Sequence, residues 1–379
     1  MNTIHCNVIT CYNIFLLQYY TQDNGGNEMR NFFEETYINI NFKREFIQLI
    51  SDISEYRGKL SVYQSQKHST LHHLEKNILL QYMINFTTMY QDIRVPNTRV
   101  KELLLNDFPP QTTKEDAVYC YYQTLSLVHQ TFDTLSISPE TIQELHFQLL
   151  HYSTSDSGKW RQKKFLIPGM PAYEGHISSY RLLPHEQVPQ SVKELCEQYN
   201  ALRANKDMHA LPLIARFILN FYCIVPFDQG NGRLAILLLH LLLLQNGYTF
   251  IKYICLDKYI KKNESTYYES IYQSSANWYY SEHNISFWLK SLLTILVEGY
   301  QDLNQILLGS IDKQTKAQRI KRYILQQTDT FTREDIRGVY PDVAESTIST
   351  AFAALQHSGH IKLISKGRTA KWIQVHHLD

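Results

Sequence analysis

A turn with two glycines lies between two strongly apolar segments of this chain, and it limits the possible folds more than any other feature. Residues 211–221 precede the turn with apolar side chains at helical spacing, and residues 234–244 follow it as an almost unbroken apolar run. The run is too short to span a bilayer and therefore predicts a buried central helix. In the turn, Gly230-Asn231-Gly232-Arg233, the glycine backbones can place several N–H groups on one concave side. The helix N-terminus and Arg233 add positive charge, so the segment predicts a binding site for a polyphosphate.

The residues around the turn resemble the signature of the Fic family, which reads His-x-Phe-x-(Asp/Glu)-Gly-Asn-Gly-Arg-x-x-Arg. Here residues 224–233 read Ile-Val-Pro-Phe-Asp-Gln-Gly-Asn-Gly-Arg. A lone Gly-Asn-Gly turn is weak evidence, because such turns usually just connect elements. The approach Leu-Pro-Leu-Ile at 211–214 and the downstream Tyr-Ile-Lys-Lys-Asn at 259–263, followed by Tyr267 and Tyr268, also match the family. The resemblance covers roughly residues 40–300.

This resemblance implies a mainly α fold, a Fic-type helical bundle with a β-hairpin flap. The flap, at residues 158–184, would hold a segment of a target protein by strand addition. The implied activity is the transfer of AMP, or of another phosphate-containing group, from a nucleotide to a protein hydroxyl. The implied nucleotide is ATP, and the residues expected to bind it are Gly230, Asn231, Gly232, Arg233 and Asn263.

Three chemically important positions of the signature differ in this sequence. Val225 stands where the family has the histidine that takes the proton from the incoming hydroxyl, and an alkyl side chain cannot do this. Gln229 replaces the acidic residue that holds a divalent ion; it offers only a neutral oxygen, so Mg²⁺ is not expected. Ile236 replaces the second arginine, a cation that would neutralise phosphate charge. Asp228 could supply the missing carboxylate, but its position one residue away favours an ordinary solvated loop residue.

Other residues could restore or regulate this chemistry. His176, His209 and His240 are candidates for a substitute base, although histidines at the surface or the edge of the core are the commoner explanation. The inhibitory segment of the family, (Ser/Thr)-x-x-x-Glu-(Gly/Asn), matches best at residues 84–88, with Asn85 at the position of the glutamate. Residues 69–75 match less well, and an ordinary amphipathic helix is the alternative.

Residues 310–379 have a pattern of their own. Helices are predicted at 316–327, from Thr332 as an N-cap, and at 346–358, and two strands follow. A helix-turn-helix followed by a hairpin resembles a winged-helix domain, which implies duplex DNA as a partner at 332–372. The basic residues that could meet phosphates are Arg333, Arg337, Lys362, Lys366, Arg368 and Lys371. The third helix contains no lysine or arginine, so a protein-interaction module is the alternative.

Composition narrows the remaining classes of protein. A net charge of +1 gives no signal for nucleic acid or an anionic membrane over the whole chain, so any basic surface is local and no membrane partner is expected. The 6 cysteines show no CxxC pair or metal spacing, which indicates reduced thiols in the cytoplasm. We expect a disordered leader or a mis-assigned start at 1–28. After it we expect three regions: an N-terminal helical region at 29–110, a Fic core at 111–309 and the winged-helix domain at 310–379.

Three functions remain open from the sequence. The first is a nucleotide-binding regulator of the Fic type whose AMP transfer is impaired. The second is an active protein adenylyltransferase that uses an unusual base or none. The third is an interaction scaffold that has lost nucleotide binding as well.

Overall fold

The computed structural model describes residues 30–33, 43–106, 108–162, 183–205, 209–309, 316–325, 327, 329–340, 343–365, 367 and 370–375. The chain divides into two compact units, residues 1–304 and 305–379. Several sequence predictions lie outside the described residues. They are the leader, most of the 158–184 flap with His176, and the basic residues Lys366 and Arg368.

The described part of the first unit is helical. Its α-helices, in chain order, are α1 (Lys43–Gln66), α2 (His68–Met89), α3 (Asn97–Leu105), α4 (Thr113–Thr131), α5 (Pro139–Leu150), α6 (Val188–Asn205), α7 (Ala210–Ile224), α8 (Asn231–Gln245), α9 (Leu256–Lys262), α10 (Glu264–Ser275) and α11 (Ser286–Gly309), the last of which runs past the boundary between the units. Short 3₁₀ turns lie at Gln91–Ile93, His185–Gln187, Thr249–Lys252 and Trp278–Tyr280. The mainly α prediction is confirmed.

Local sequence signals explain where several of these helices begin. The Thr112 side chain accepts a hydrogen bond from the N–H of Glu115 and caps α4. Ser138 caps α5 in the same way, and Pro139 occupies the first turn, where its missing N–H costs nothing. Residues 32 and 33, inside the predicted N-terminal helical region at 29–110, are not helical. Phe32 and Phe33 form a turn instead, because the Asn31 side chain accepts a hydrogen bond from the N–H of Phe33.

Two consecutive helices, α7 and α8, form the centre of the core and place the glycine turn between them. The predicted stripe of α7, namely Leu211, Ile214, Phe217, Ile218 and Phe221, has an exposed fraction of 0%. The residues of α8 from Leu234 to Leu244 are all buried, which confirms the predicted central helix. None of the described helices is both long and apolar enough to cross a membrane.

The second unit has a small core of its own. It contains α12 (Lys316–Ile324), α13 (Arg333–Val339), α14 (Glu345–His357) and the antiparallel strands β1 (Ile361–Ser365) and β2 (Lys371–Gln374). Phe331 adds a single antiparallel bridge to Trp372. Thr332 is the N-cap of α13, as predicted, and it exchanges hydrogen bonds with Asp335 in a capping box. The core residues are Ile320, Ile324, Phe331, Ile336, Val343, Ile348, Ala351, Phe352, Leu355, Ile361 and Trp372.

Candidate functional site

The glycine turn begins with a residue in an unfavourable backbone conformation. Helix α7 ends at Val225, whose φ of 49° and ψ of 68° lie in the left-handed region. Its N–H still bonds to the carbonyl of Phe221 at 3.2 Å. A β-branched residue rarely adopts this conformation, and the proline at position 226 restricts it further. The backbone therefore keeps a shape here that its side chain does not favour.

Asn231 closes the loop that follows. Its side-chain oxygen accepts a hydrogen bond from the Phe227 N–H at 3.0 Å, and its side-chain nitrogen donates to the Phe227 carbonyl at 2.7 Å. Asn231 and Phe227 are both buried. The amide therefore fixes the shape of the turn, and what Asn231 can offer to a ligand is its backbone N–H.

Gly230 is required by both conformation and space. Its φ is 77°, and a Cβ built on it would lie 2.4 Å from Cδ1 of Leu150. The first hydrogen bond of α8 runs from the Leu234 N–H to the Gly230 carbonyl at 3.0 Å. The N–H groups of residues 231–233 have no carbonyl of their own helix to bond, and they carry the positive end of the helix dipole. These are the features from which the sequence predicts anion binding, and the binding itself stays a prediction.

His146, on α5, contacts the loop and helps to hold its shape. It was not identified from the sequence. Its Nε2 bonds to the Gln229 carbonyl at 3.0 Å, while its Nδ1 accepts from the Gly158 N–H at 2.8 Å. Its ring stacks on Phe227 with centroids 3.7 Å apart and planes inclined by 4°. Burial lowers the pKa of His146 to about 4. Because both ring nitrogens are engaged, His146 positions the loop and is not free to act as a base.

Arg161 holds the other side of the turn, and it was also missed. Its Nε donates to the Val225 carbonyl at 2.7 Å, and its guanidinium also reaches the carbonyls of Ile224 and Leu183. Its backbone N–H donates to the Pro226 carbonyl at 2.9 Å. With an exposed fraction of 1%, Arg161 is a buried cation at the negative end of α7. It fixes the direction in which the chain leaves α7.

The two other predicted nucleotide contacts lie in different environments. Arg233 is half-buried, and its guanidinium donates to the Tyr152 hydroxyl at 3.3 Å. It also lies near Tyr90: burial raises the pKa of Tyr90, and the charge of Arg233 opposes that rise. Asn263 follows α9, and its side-chain nitrogen donates to the Tyr259 carbonyl at 3.0 Å and to Glu298 at 3.2 Å. Arg233 therefore lies at the turn, whereas Asn263 is held against α11.

The three substituted positions differ in exposure. Gln229 is exposed, and Val225 and Ile236 are buried with exposed fractions of 5% and 2%. Asp228 is not the solvated loop residue that the sequence favours. It is half-buried, and its Oδ1 has no hydrogen-bond partner within the described residues, because the loop that Asn231 closes turns this carboxylate inward.

A divalent metal finds a poor donor set at this loop. Gln229 supplies a neutral oxygen at the position of the family's carboxylate, and Asp228 is the one acidic residue of the 224–233 segment. The described residues contain no group of three or more His, Cys, Asp or Glu side chains that could hold a metal ion. The expectation that Mg²⁺ is not bound stays a prediction.

Two of the histidines considered as substitute bases, His240 and His209, lie far from the loop. His240 is fully buried, not at the edge of the core, and its Nε2 bonds to Oδ1 of Asp257 at 3.0 Å. Along α8 it lies about 15 Å from Gly230, at about 1.5 Å of rise per residue. His209 is at the start of α7, where its side chain accepts from the Leu211 N–H. Neither can take a proton at the turn.

Asn85, at the position expected for an inhibitory glutamate, lies on α2. Its side-chain nitrogen is buried and has no hydrogen-bond partner among the residues described. Helix α2 packs against α4 and α9. The inhibitory role of this segment stays a prediction.

Comparison with known proteins bears on the same region. Residues 136–243, which run from just before α5 into the last turn of α8, match the model of the Fic/DOC family. A comparison with curated protein sequences finds no match.

Solved structures of Fic proteins share the fold. A Fic family protein from Desulfovibrio desulfuricans is 14% identical with a TM-score of 0.56, covering 90% of this chain and 98% of its own. A Fic domain containing signaling protein from Bacteroides thetaiotaomicron is 16% identical with a TM-score of 0.55, covering 68% and 98%. Fic-1 from C. elegans is 14% identical with a TM-score of 0.55, covering 73% and 75%.

The loop geometry, the matched residues and the shared fold agree with one another. The α7–α8 turn with its two glycines lies inside the matched region. This chain therefore carries a Fic/DOC family domain.

Proposed function

We propose that this protein binds a nucleotide through the turn 230–233 and is impaired in AMP transfer. The observation that carries the proposal is the combination of a supported turn with Val225 at the family's base position. Burial and hydrogen bonds preserve the shape of the turn, while the group that would accept the proton is missing. The protein acts as a regulator of the Fic type.

Binding rests on the start of α8. The orphan N–H groups of residues 231–233, the helix dipole and the Arg233 guanidinium all favour a polyphosphate at this end of the helix. The family resemblance implies that the nucleotide is ATP. Because Gln229 offers only a neutral oxygen at the position of the family's carboxylate, we expect binding without Mg²⁺.

Impaired transfer rests on the loss of the base. General acid–base catalysis contributes a factor of about 10² to 10⁴ in rate, and Val225 supplies none of it. Both nitrogens of the nearby His146 are already bonded. Ile236 also removes a cation from the phosphates.

Binding is tested by thermal shift of the full chain with ATP, with and without Mg²⁺. We expect a saturable rise in Tm in both conditions and a much smaller rise for Arg233→Ala. Lys258→Ala, an exposed residue of α9, is the matched control and keeps the full response. The absence of any shift would instead support the scaffold function.

Transfer is tested with α-labelled ATP and cell lysate. We expect little labelling by the wild type and a gain for the combined variant Val225→His, Gln229→Asp and Ile236→Arg. The matched control, Val225→Ala with Gln229→Ala and Ile236→Ala, gains nothing. Clear labelling by the wild type, at the level of the restored variant, would contradict the impairment.

One observation favours the second candidate, an active adenylyltransferase that modifies a Ser, Thr or Tyr hydroxyl. The Asp228 carboxylate is half-buried beside the turn, with one oxygen that bonds to none of the described residues. A carboxylate so placed could take a proton from an incoming hydroxyl. Wild-type labelling that Asp228→Asn abolishes would establish this function in place of the first.

We also propose that the second unit acts as a winged-helix domain that binds duplex DNA. Lys362 and Lys371 are exposed on the two strands, and the Arg333 guanidinium lies 5.3 Å from the centre of the Trp372 ring. Full-length protein should bind duplex DNA with an affinity that falls steeply as salt rises, and Lys362→Glu with Lys371→Glu should weaken it. Binding that neither salt nor these substitutions change would favour a protein-interaction module.

A further inference from the structure

Residues 30–33, Arg-Asn-Phe-Phe, lie in a groove between α6, α7 and the Trp278 turn, on a part of the molecule that the nucleotide proposal does not use. Side chains of α6 and α7 bond to the main chain of this segment. Phe32 and Phe33 are buried, with exposed fractions of 2% and 5%, whereas Asn31 is exposed. The segment therefore packs as a bound peptide does: the two phenylalanines are buried and Asn31 is exposed to solvent.

The main chain of the segment is recognised by the side chain of Gln198 on α6. The Gln198 nitrogen donates to the Arg30 carbonyl at 2.6 Å, and its oxygen accepts from the Phe32 N–H at 2.8 Å. One amide thus meets the carbonyl of one residue and the N–H two residues later, as a parallel strand would. A single side chain thus recognises the main chain of the segment at two points.

Two residues of α7 bond to the carbonyls of Phe32 and Phe33. Asn220 donates to the Phe32 carbonyl at 3.0 Å, and Arg216 donates to the Phe33 carbonyl. The Asn220 oxygen accepts from the Trp278 indole at 2.6 Å, so this buried amide is itself held in place. Three side chains of the groove, those of Gln198, Arg216 and Asn220, therefore bond to the main chain of the segment.

The side chains of the segment are selected as well. The guanidinium of Arg30 lies 3.6 Å from the centre of the Trp278 ring and also donates to the Trp278 carbonyl. Phe32 stacks on the same indole, with centroids 6.3 Å apart and planes inclined by 25°. Cation–π and aromatic contacts of this kind favour arginine followed two residues later by an aromatic ring.

We propose that this groove is a binding site for peptides with the sequence Arg-x-Phe-Phe, which the chain fills with its own residues 30–33. When that segment is displaced, the groove binds the same motif on another polypeptide. Because Arg216 and Asn220 lie on α7, which leads to Val225, the occupied groove also supports the helix in front of the nucleotide turn. The site is independent of the nucleotide proposal.

The test uses the full chain with Arg30→Ala and Phe32→Ala, which weaken the internal segment. The probe is a fluorescein-labelled peptide, Met-Arg-Asn-Phe-Phe-Glu, followed by anisotropy. We expect this variant to bind the peptide at least tenfold more tightly than the wild type, whose own segment competes. Adding Asn220→Ala should reduce that affinity at least tenfold, and a scrambled peptide should bind weakly to all forms.

Equal affinity of the wild type and the double variant, or binding that Asn220→Ala does not change, would overturn the proposal. Circular dichroism checks that each variant is folded. If the double variant is unfolded, Arg30→Ala alone is used, since it leaves both phenylalanines in place. That variant should bind the peptide at least threefold more tightly than the wild type. An affinity no higher than that of the wild type would also overturn the proposal.

Discussion

One buried histidine supports the glycine turn and another lies in the helical core, but the two histidines have different partners. His146 at the turn bonds only to backbone groups, the Gln229 carbonyl and the Gly158 N–H. His240 in the core bonds to the Asp257 carboxylate and, through Nδ1, to Nε2 of His129 at 3.1 Å. The first arrangement holds a loop in shape, whereas the second satisfies buried polar groups among themselves. The difference separates residues that serve the site from residues that serve stability.

The largest effect is expected in the core. His240→Leu leaves the Asp257 carboxylate, with an exposed fraction of 1%, without its imidazole partner. Removing one member of a buried pair costs about 3–5 kcal/mol, and we expect a loss of this size in denaturant unfolding. The ATP-induced thermal shift should remain in the folded fraction. The control replaces both His240 and Asp257 with leucine and should recover most of the loss.

At the turn, His146→Leu should destabilise less but affect function more. It leaves the Gln229 carbonyl and the Gly158 N–H without their partner and removes the stacking on Phe227, at a cost of about 2–4 kcal/mol. Because the shape of the turn depends on these contacts, the ATP-induced shift should largely disappear. A full ATP response in this variant would show that the turn keeps its shape without the imidazole.

The pH dependence of stability gives a third test of the comparison. Burial lowers the pKa of His146 to about 4, below the ordinary value of 6.5 that applies to the unfolded chain. The unfolded state therefore binds more protons between these values, and stability is lost as the pH falls from 6.5 towards 4, by roughly 1–3 kcal/mol for this residue. His146→Leu should show a smaller pH dependence in this window. Equal slopes for the variant and the wild type would contradict this role.

The smallest expected effect concerns Val225. An L-residue in the left-handed region costs about 1–2 kcal/mol, whereas glycine adopts it freely. Val225→Gly should therefore be more stable than Val225→Ala by about 0.5–1 kcal/mol, the reverse of the usual order in a helix. Thermal unfolding of the two variants measures the difference. Ala235, a buried residue within α8, supplies the control, since Ala235→Gly should be destabilising there.

The sequence was sufficient for the elements whose signals are local. The apolar spacing of α7 and α8, the glycine turn between them, Pro139 and the Thr332 cap all depend on a few neighbouring residues. The contacts that hold the turn depend on residues far away along the chain. His146 meets Gln229 across 83 positions and Arg161 meets Val225 across 64, so no local pattern could reveal either. His146 lies on the buried face of α5, where its position is that of any core residue.

Asp228 and Asn231 illustrate the same limit within the turn. Their residue types indicate a polar loop, which the turn is. The loop closes on itself. As a result the Asn231 side chain bonds to the Phe227 backbone, and the Asp228 carboxylate turns inward. The predicted ligand role of Asn231 stays a prediction that concerns its backbone N–H.

Arg161 also ties the two ends of the stretch 162–182 together, because one guanidinium reaches both the end of α7 and the carbonyl of Leu183. Residues 161 and 183 are thereby held close together, as the two ends of a closed loop. Doubling the length of such a loop costs only about 0.6 kcal/mol in closure entropy. We therefore expect that an insertion between residues 161 and 183 leaves the contacts of Arg161 with the end of α7 in place.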